Sequence, residues 1–332
     1  MQEFRAFLIE QDAARQVRAG FTRLREDQLD AGDVLIRVIY SSINYKDALA
    51  ATGQGRIVRR FPCVGGIDLA GIVERSAAPR FKPGDPVLAT SYDIGVAHHG
   101  GYAELALVPG GWVVPLPEGL NLRQSMALGT AGFTAAFGVQ RMELNGLKPE
   151  NGPVLVNGAT GGVGSLAVDM LARRGYEVVA LTGKAAETEW LRELGATRVM
   201  LRNEIDFSQI KPMDKGLWAG AIDNLGGDVL AWLASTMKPW GTIASIGLAA
   251  GTQLNTTVMP FILRGVSLLG VDSGYVGAAL REQVWARLAS DLKPAHLDAL
   301  TREVPFESLP EEFGKFIAGQ ARGRTVVRIG QD

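Results

Sequence analysis

Residues 153–184, PVLVNGATGGVGSLAVDMLARRGYEVVALTGK, constrain the fold more than any other stretch. The apolar run Val154-Leu155-Val156 reads as a buried strand. Gly158, Gly161 and Gly164 follow at G-x-x-G-x-x-G spacing. Leu166, Ala167, Met170 and Leu171 then recur at helical spacing, up to a stop at Gly175. Val178–Leu181 is a second apolar run. The order strand, glycine turn, helix, strand is one βαβ unit. In such a turn the glycines permit a sharp bend, a close approach to a pyrophosphate and tight seating of the helix on the sheet. The unpaired N–H groups and positive end of the helix face the phosphates. Thr160, Gly161, Gly162 and Val163 are the expected phosphate-binding segment.

The rest of the chain frames this unit. Residues 1–123 read mostly as strands: Arg5–Ile9, Asp33–Tyr40, Asp68–Arg75, Val87–Thr90 and Tyr102–Val108. A polar stretch follows the first strand, and Asp47–Ala51 reads as a short helix. Close spacing with glycine turns implies a small barrel or sandwich. From residue 124 helices alternate with short strands, which implies a doubly wound parallel sheet up to residue 272. The tail, 273–332, has an amphipathic helix over 278–290, a short helix over 310–318 and a closing strand Thr325–Ile329. About 60 residues is marginal for an independent domain, so the tail is expected to return to the first one.

Composition excludes several functions. The net charge is −1 over 332 residues, which argues against a nucleic-acid or polybasic membrane partner. The one cysteine, Cys63, allows neither an intrachain disulfide nor a multi-cysteine zinc site and fits a cytoplasmic location. The N-terminal residues have no signal-peptide pattern, and no apolar run reaches the ~18 residues of a membrane span.

Cofactor choice is read at the end of the second strand, Thr182-Gly183-Lys184. An NAD site carries an acid there for the ribose 2′-OH. A hydroxyl and an ammonium suit a 2′-phosphate instead, and Arg198 is expected to add a guanidinium fork. The expected cofactor is NADPH. Loops after later strands should add contacts at Leu248, Ile262 and Ser273.

The whole chain resembles the zinc-independent medium-chain dehydrogenase/reductases of the YhdH/YhfP subgroup, which holds acrylyl-CoA reductases and quinone oxidoreductases. The resemblance rests on SSINYKDALA (41–50), IVRRFP (57–62), GIDLAG (66–71), GTAGFTAA (129–136), NGATGGVGSLAV (157–168), WAGAID (218–223), TVMPFILRGVSLLGVDS (257–273) and GRTVV (323–327). It implies an α/β protein with a Rossmann domain and a GroES-like β-rich catalytic domain split between the chain ends. It also places Asn44 and Tyr45 at the nicotinamide end of the cofactor, with Tyr45 as orienting residue and proton donor and Asn44 holding an oxygen of cofactor or substrate. Asp47 is expected to cap its helix. Where zinc-dependent members carry Cys and Gly-His-Glu, this chain has Asn44 and Gly66-Ile67-Asp68, so no metal is expected. His98 and His99 are expected in a loop and His296 on a surface helix.

The acrylyl-CoA reductase pattern GWGVGxxHWGG reads SYDIGVAHHGG at 91–101. Acrylyl-CoA and quinone therefore both stand as substrates. Arg56, Arg59 and Arg60 either meet CoA phosphates or form a solvated loop. A different class also stands: an NADPH-binding redox sensor or structural protein with little turnover. A homodimer is expected through the exposed Rossmann edge strand Val266–Val271.

Overall fold

The computed structural model describes residues 3–331. The chain divides into two compact units. The first contains residues up to Thr130, Gly274–Gln283 and the residues from Leu297 onward; the second contains Ala131–Ser273 and Val284–His296. The tail thus does not return as one piece, as expected for 273–332. Residues 284–296 belong to the second unit because Val284, Trp285 and Leu288 form the buried face of their helix, and Trp285 lies 6.2 Å from Phe133.

In the first unit the strands are β1 (Glu3–Gln11), β2 (Val17–Arg25), β3 (Val34–Ser42), β4 (Cys63–Val64), β5 (Asp68–Ser76), β6 (Pro86–Thr90), β7 (Leu105–Val108) and β8 (Val113–Pro115). Helix α1 (Tyr45–Thr52) follows β3, and helix α2 (Leu122–Leu144) follows β8. The late elements of this unit are given below. One three-stranded sheet has the order β2-β1-β4. The strand β2 lies in the stretch read as merely polar. It is an edge strand with Leu24 as its one buried residue, so it lacks the apolar alternation that would reveal it.

The second unit is built from β9 (Val154–Asn157), α3 (Gly162–Arg173), β10 (Val178–Thr182), α4 (Thr188–Glu193), β11 (Arg198–Leu201), β12 (Trp218–Asp223), α5 (Gly227–Thr236), β13 (Met237–Ser245), α6 (Met259–Arg264) and β14 (Ser267–Gly270). Its six strands are all parallel, in the order β11-β10-β9-β12-β13-β14. The central strands are buried on both faces, which is why they read as continuous apolar runs. The order reverses at β9/β12, so the crevice for a ligand opens outside their carboxyl ends.

After α7 (Ala278–Leu288) come β15 (Thr301–Pro305), α8 (Leu309–Ile317) and β16 (Arg324–Arg328). They complete the seven-stranded sheet of the first unit, ordered β15-β16-β3-β5-β6-β8, with β7 also on β3. Strand β3 is its hub and is almost wholly buried, as its β-branched run dictates. Phe4, Phe7, Tyr102, Phe306 and Phe313 form one core of this unit. No helix among the described residues is long and apolar enough to cross a membrane.

Helix α2 contains a break. At Gly129 the backbone takes φ 51°, ψ −154°. A Cβ there would lie 2.6 Å from Asp68 Oδ2 and 2.9 Å from both Arg324 Nη2 and Ser42 Oγ. Strain and crowding both demand glycine. Gly129→Ala is expected to lower unfolding stability by more than about 2 kcal/mol in urea titration.

Candidate active site

The glycine turn leaves β9 at Gly158, whose φ of 57° suits glycine. Gly164 packs so closely on the Gly158 carbonyl and on Ala159 that any Cβ would collide with backbone. Beside Gly161 a Cβ would meet only the Gly158 oxygen, at 3.3 Å. No side chain caps α3 at Gly161. The N–H groups of Gly162 and Val163 are therefore presented by a helix start that no protein carboxylate occupies. This cradle fits a dinucleotide pyrophosphate.

Thr182, Gly183 and Lys184 end β10 on the same carboxyl edge, and Lys184 N donates to Thr182 Oγ1 at 3.0 Å. The structure does not bring Arg198 to them. In the parallel register Arg198 pairs with Val179 and Leu201 with Thr182. Arg198 thus lies at the amino end of β11, where its guanidinium stacks 5.5 Å from the Trp218 ring. The residue that follows β11 is Arg202, and a Cβ on Gly183 would meet its guanidinium at 3.7 Å. The arginine beside the triplet is Arg202, four positions further on, in place of the expected Arg198. The missed signal is the direction of the strand: the residue after a parallel strand, not its first, faces the carboxyl edge.

Asn157 and Asp223 flank the crevice. Asn157 Nδ2 donates to Asp223 Oδ1 at 2.5 Å, and Asn157 Oδ1 accepts from Asn224 N at 2.6 Å. These links hold the ends of β9 and β12 in register. Leu248 follows β13 and is exposed, as is Ile262 in α6. Ser273 follows β14 and accepts a hydrogen bond from Thr134 Oγ1 at 2.7 Å. Ile262 is 73% exposed.

The first unit holds a buried charged cluster. Asn44 is the N-cap residue of α1, and Asp47 closes a capping box by accepting from Asn44 N at 2.9 Å. Asp47 thus caps its helix as expected, and its other oxygen accepts from Ile67 N at 3.0 Å. Asp68 accepts from Ser42 Oγ at 2.6 Å, from Asn44 Nδ2 at 2.8 Å, and from both the backbone N (3.0 Å) and the Oγ1 (2.5 Å) of Thr130. It so anchors the start of α2 beyond the Gly129 break. Arg324, the first residue of β16, is buried and donates to Ala127 O at 2.7 Å, Ser42 Oγ at 2.9 Å and Asn44 Oδ1 at 3.3 Å. Tyr102 donates its hydroxyl to Ser42 O at 3.0 Å.

One of the sequence-based assignments changes here. Asn44 spends its amide on Ser42, Asp47 and Asp68 and its oxygen on Arg324, so it braces the cluster and has no donor left for a ligand. Tyr45, by contrast, is 54% exposed at the first turn of α1 and presents its ring and hydroxyl outward. Asp68 and Arg324 were absent from the expected site. Both are charges inside strands, a combination that rarely survives burial without a partner.

Two buried carboxylates face one buried guanidinium. Burial, then the Asp68 charge, pushes the Asp47 carboxyl up to about 7, against hydrogen bonds from Asn44 and Ile67 that favour the anion. Burial pulls Arg324 down from its ordinary value, while Asp68 and Asp47 hold it up. With one proton on the carboxyl pair the cluster is neutral.

The remaining candidates fall into structural roles. His99 Nδ1 accepts from Val64 N at 3.0 Å, and burial lowers its pKa, so it is a neutral packing residue. His98 is buried and meets the His99 and Ala31 carbonyls. His296 lies in a turn rather than a helix, where its N–H donates to Asp169 Oδ2 at 2.8 Å. Arg59 pairs with Asp93 and Tyr275, and Arg60 with Asp30, which leaves Arg56 as the unpaired member of the basic run among the described residues. Burial pushes the Cys63 thiol up to about 12, far from a reactive thiolate.

Comparison with known proteins agrees with this geometry. Residues 30–118 match the family described as alcohol dehydrogenase GroES-like domain, and residues 162–290 match that described as zinc-binding dehydrogenase. YhfP of Bacillus subtilis, whose name places it provisionally among quinone oxidoreductases, is 49% identical over 91% of this chain and 92% of its own. The acrylyl-CoA reductase AcuI of Ruegeria pomeroyi is 45% identical over 98% of this chain and 99% of its own. The solved YhdH oxidoreductase of Salmonella enterica, in complex with NADP, superposes with a TM-score of 0.95 at 46% identity, covering 98% of this chain and all of that one. The YhfP structure has NAD bound and a TM-score of 0.96. The chain belongs to the medium-chain dehydrogenase/reductases, an oxidoreductase superfamily, and within it to the subgroup of YhfP, YhdH and AcuI. Its two units are the GroES-like and Rossmann-like domains of that superfamily.

The raised Asp47 carboxyl sets a stability window. Its ordinary value is 3.8 and its folded value about 7, so its contribution is complete below pH 4 and lost as pH rises through 7. The loss amounts to about 4 kcal/mol at most. Asp47→Asn, which is neutral at every pH, is expected to flatten the fall in urea-unfolding stability between pH 5 and pH 8.

Proposed function

We propose that this chain is an NADPH-dependent reductase of an activated C=C bond, such as that of an enoyl-CoA ester, or of a quinone, acting without zinc. The observation that carries the reading is Arg202 beside the acid-free triplet Thr182-Gly183-Lys184, above a glycine cradle with an uncapped helix start. NADPH, when bound, supplies the hydride for the reduction. The pyrophosphate fits the N–H groups of Gly162 and Val163 with Thr160 and Gly161 beside them, and the 2′-phosphate fits Arg202, Lys184 and Thr182. Asp223 stays within the protein, tied to Asn157 and the Gly226 N–H at 3.2 Å. Tyr45 offers an exposed ring and hydroxyl to orient a flat ligand. Leu248 and Ser273 follow later strands of the same carboxyl edge and extend the cofactor site. The bound NAD of the YhfP structure marks NADH as the competing cofactor.

The donor set supports a zinc-free reaction. The position where zinc-dependent members carry a cysteine is occupied by Asn44, whose Nδ2 donates inward to three oxygens and cannot ligate a cation. Among the described residues no three His, Cys, Asp or Glu side chains converge as a metal site.

A second copy of the chain is the proposed partner. Strand β14 is the edge of the six-stranded sheet, and Met259, Leu263 and Leu268 are exposed on it and on the preceding helix. An apolar edge of this kind is removed when two copies pair. Light scattering at micromolar concentration should report a dimer; a monomer removes the proposal.

Stopped-flow oxidation of NADPH against enoyl-CoA esters, enones and quinones tests the activity. Turnover with at least one class is expected. Binding without turnover by any of them would favour a redox sensor. Fluorescence titration tests the cofactor site: Arg202→Ala should weaken NADPH binding by about 10- to 100-fold and leave NADH unchanged, as expected for one charge-assisted contact of 1.5–3 kcal/mol. Arg198→Ala should change neither.

A further inference from the structure

Asn157, Asp223 and Asn224 stand where β9 and β12 end, beside the glycine turn. Asn157 and Asp223 spend every side-chain oxygen inside the protein. Asn157 Oδ1 accepts from Asn224 N, and Asp223 accepts from Asn157 Nδ2, from Leu225 N at 3.3 Å and, with its second oxygen, from Gly226 N at 3.2 Å. Asn224 differs. Its Nδ2 donates to Asn157 O at 2.8 Å, and this contact settles which end of the amide is which. Exchanging the nitrogen and the oxygen would set two carbonyl oxygens against each other. Asn224 Oδ1 is thereby left buried and without a hydrogen-bond partner among the described residues. An acceptor that is hidden from water and unmatched by a donor is costly to the free chain.

The place of this oxygen is set by the second unit alone, to which all these residues belong. A Cβ built on Gly158 would meet Asn224 Cβ at 3.2 Å, so the side chain stands against the first glycine of the turn. Asn224 is half-buried, which leaves it surface to offer a ligand. Strand β10 lies on one side of β9 and β12 on the other. With the 2′-phosphate at the end of β10 and the pyrophosphate at the start of α3, the other half of a dinucleotide runs over the end of β12, where the strand order reverses. The first group beyond the pyrophosphate in that direction is a ribose, which carries hydroxyl donors. A phosphate has no proton to offer, and its anionic oxygens would be repelled by Oδ1.

We propose that Asn224 Oδ1 is the acceptor for a hydroxyl of the nicotinamide ribose. This rests on the NADPH reading given above. The hydrogen bond forms without loss elsewhere, because Oδ1 has no bond to give up. The donor end of the amide stays on Asn157 O and holds the side chain in place, so the acceptor is fixed before the ligand arrives. The two ends of the crevice then select opposite chemistry. Arg202 and Lys184 favour an anion beside β10, and Asn224 favours a neutral donor beside β12.

Fluorescence titration of wild type and Asn224→Ala tests this as a double-mutant cycle. The ligands are NADPH, an NADPH analogue lacking the hydroxyls of the nicotinamide ribose, an analogue with acetyl in place of the carboxamide, and 2′,5′-ADP, which carries the adenine half alone. Asn224→Ala should bind NADPH about 10-fold more weakly than wild type, the scale of one hydrogen bond. Both proteins should bind the deoxy analogue equally. They should also bind 2′,5′-ADP equally, because the 2′-phosphate site is untouched. A loss that persists with the deoxy analogue overturns the proposal, since the substitution then acts through the turn that Asn224 braces. A loss that vanishes only with the acetyl analogue overturns it as well and makes the carboxamide the donor. Wild type that binds NADPH and its deoxy analogue alike overturns it without any variant and leaves the cofactor reading standing. Wild type that binds no NADPH removes the cofactor reading and this inference with it.

Discussion

The structure of the first unit depends on Asp68. A buried carboxylate must be satisfied, and this one is satisfied by groups far apart in the chain. Ser42 ends β3, Asn44 begins α1, and Thr130 begins the second segment of α2. One side chain therefore fixes the exit of the hub strand, the helix that presents Tyr45 and the position of Thr130 after the Gly129 break. The positive start of that α2 segment is in turn a favourable partner for the anion. Gly129 is required because this same cluster fills the space where its side chain would be. Replacing any single member leaves the others buried and uncompensated, which is the costly way to lose a buried charge network.

The second unit solves a different problem by withholding side chains. Its carboxyl edge offers backbone N–H groups at α3 and the cations Lys184 and Arg202 beside an acid-free strand end. Binding capacity there comes from the absence of Cβ atoms at Gly158, Gly161 and Gly164. The polar side chains nearby are turned to internal work, as Asn157 and Asp223 bind one another across the crevice. A donor already spent inside the protein does not compete with a ligand. The same logic removes Asn44 from direct chemistry in the first unit.

Much of this was legible in the sequence, for physical reasons that differ by element. The glycine turn and the strands Val154–Asn157, Val178–Thr182 and Trp218–Asp223 stand out because strands buried on both faces must be apolar throughout. The cap at Asp47 follows from local spacing. Strand β2 was hidden because an exposed edge need not alternate. Arg202 was passed over in favour of Arg198 because sequence distance alone does not say which end of a strand a residue occupies. Asp68 and Arg324 were beyond reach for a simpler reason: their meaning lies in each other, 256 positions apart, by subtraction of their numbers, and nothing local to either announces it.

That separation has a consequence for synthesis. Ser42, Asn44, Asp47 and Asp68 leave the ribosome early, and the single cation that balances them arrives with residue 324. Until then two acids meant for the interior lack their counterion, and β3 lacks its neighbour β16. The nascent first unit can collapse around its aromatic side chains, but it cannot close dry around its charges. The Rossmann unit, encoded wholly in the interval, has no such wait for its six strands. The chain is therefore built so that the fold that holds the nucleotide can mature first, and the fold that holds the proton is sealed last.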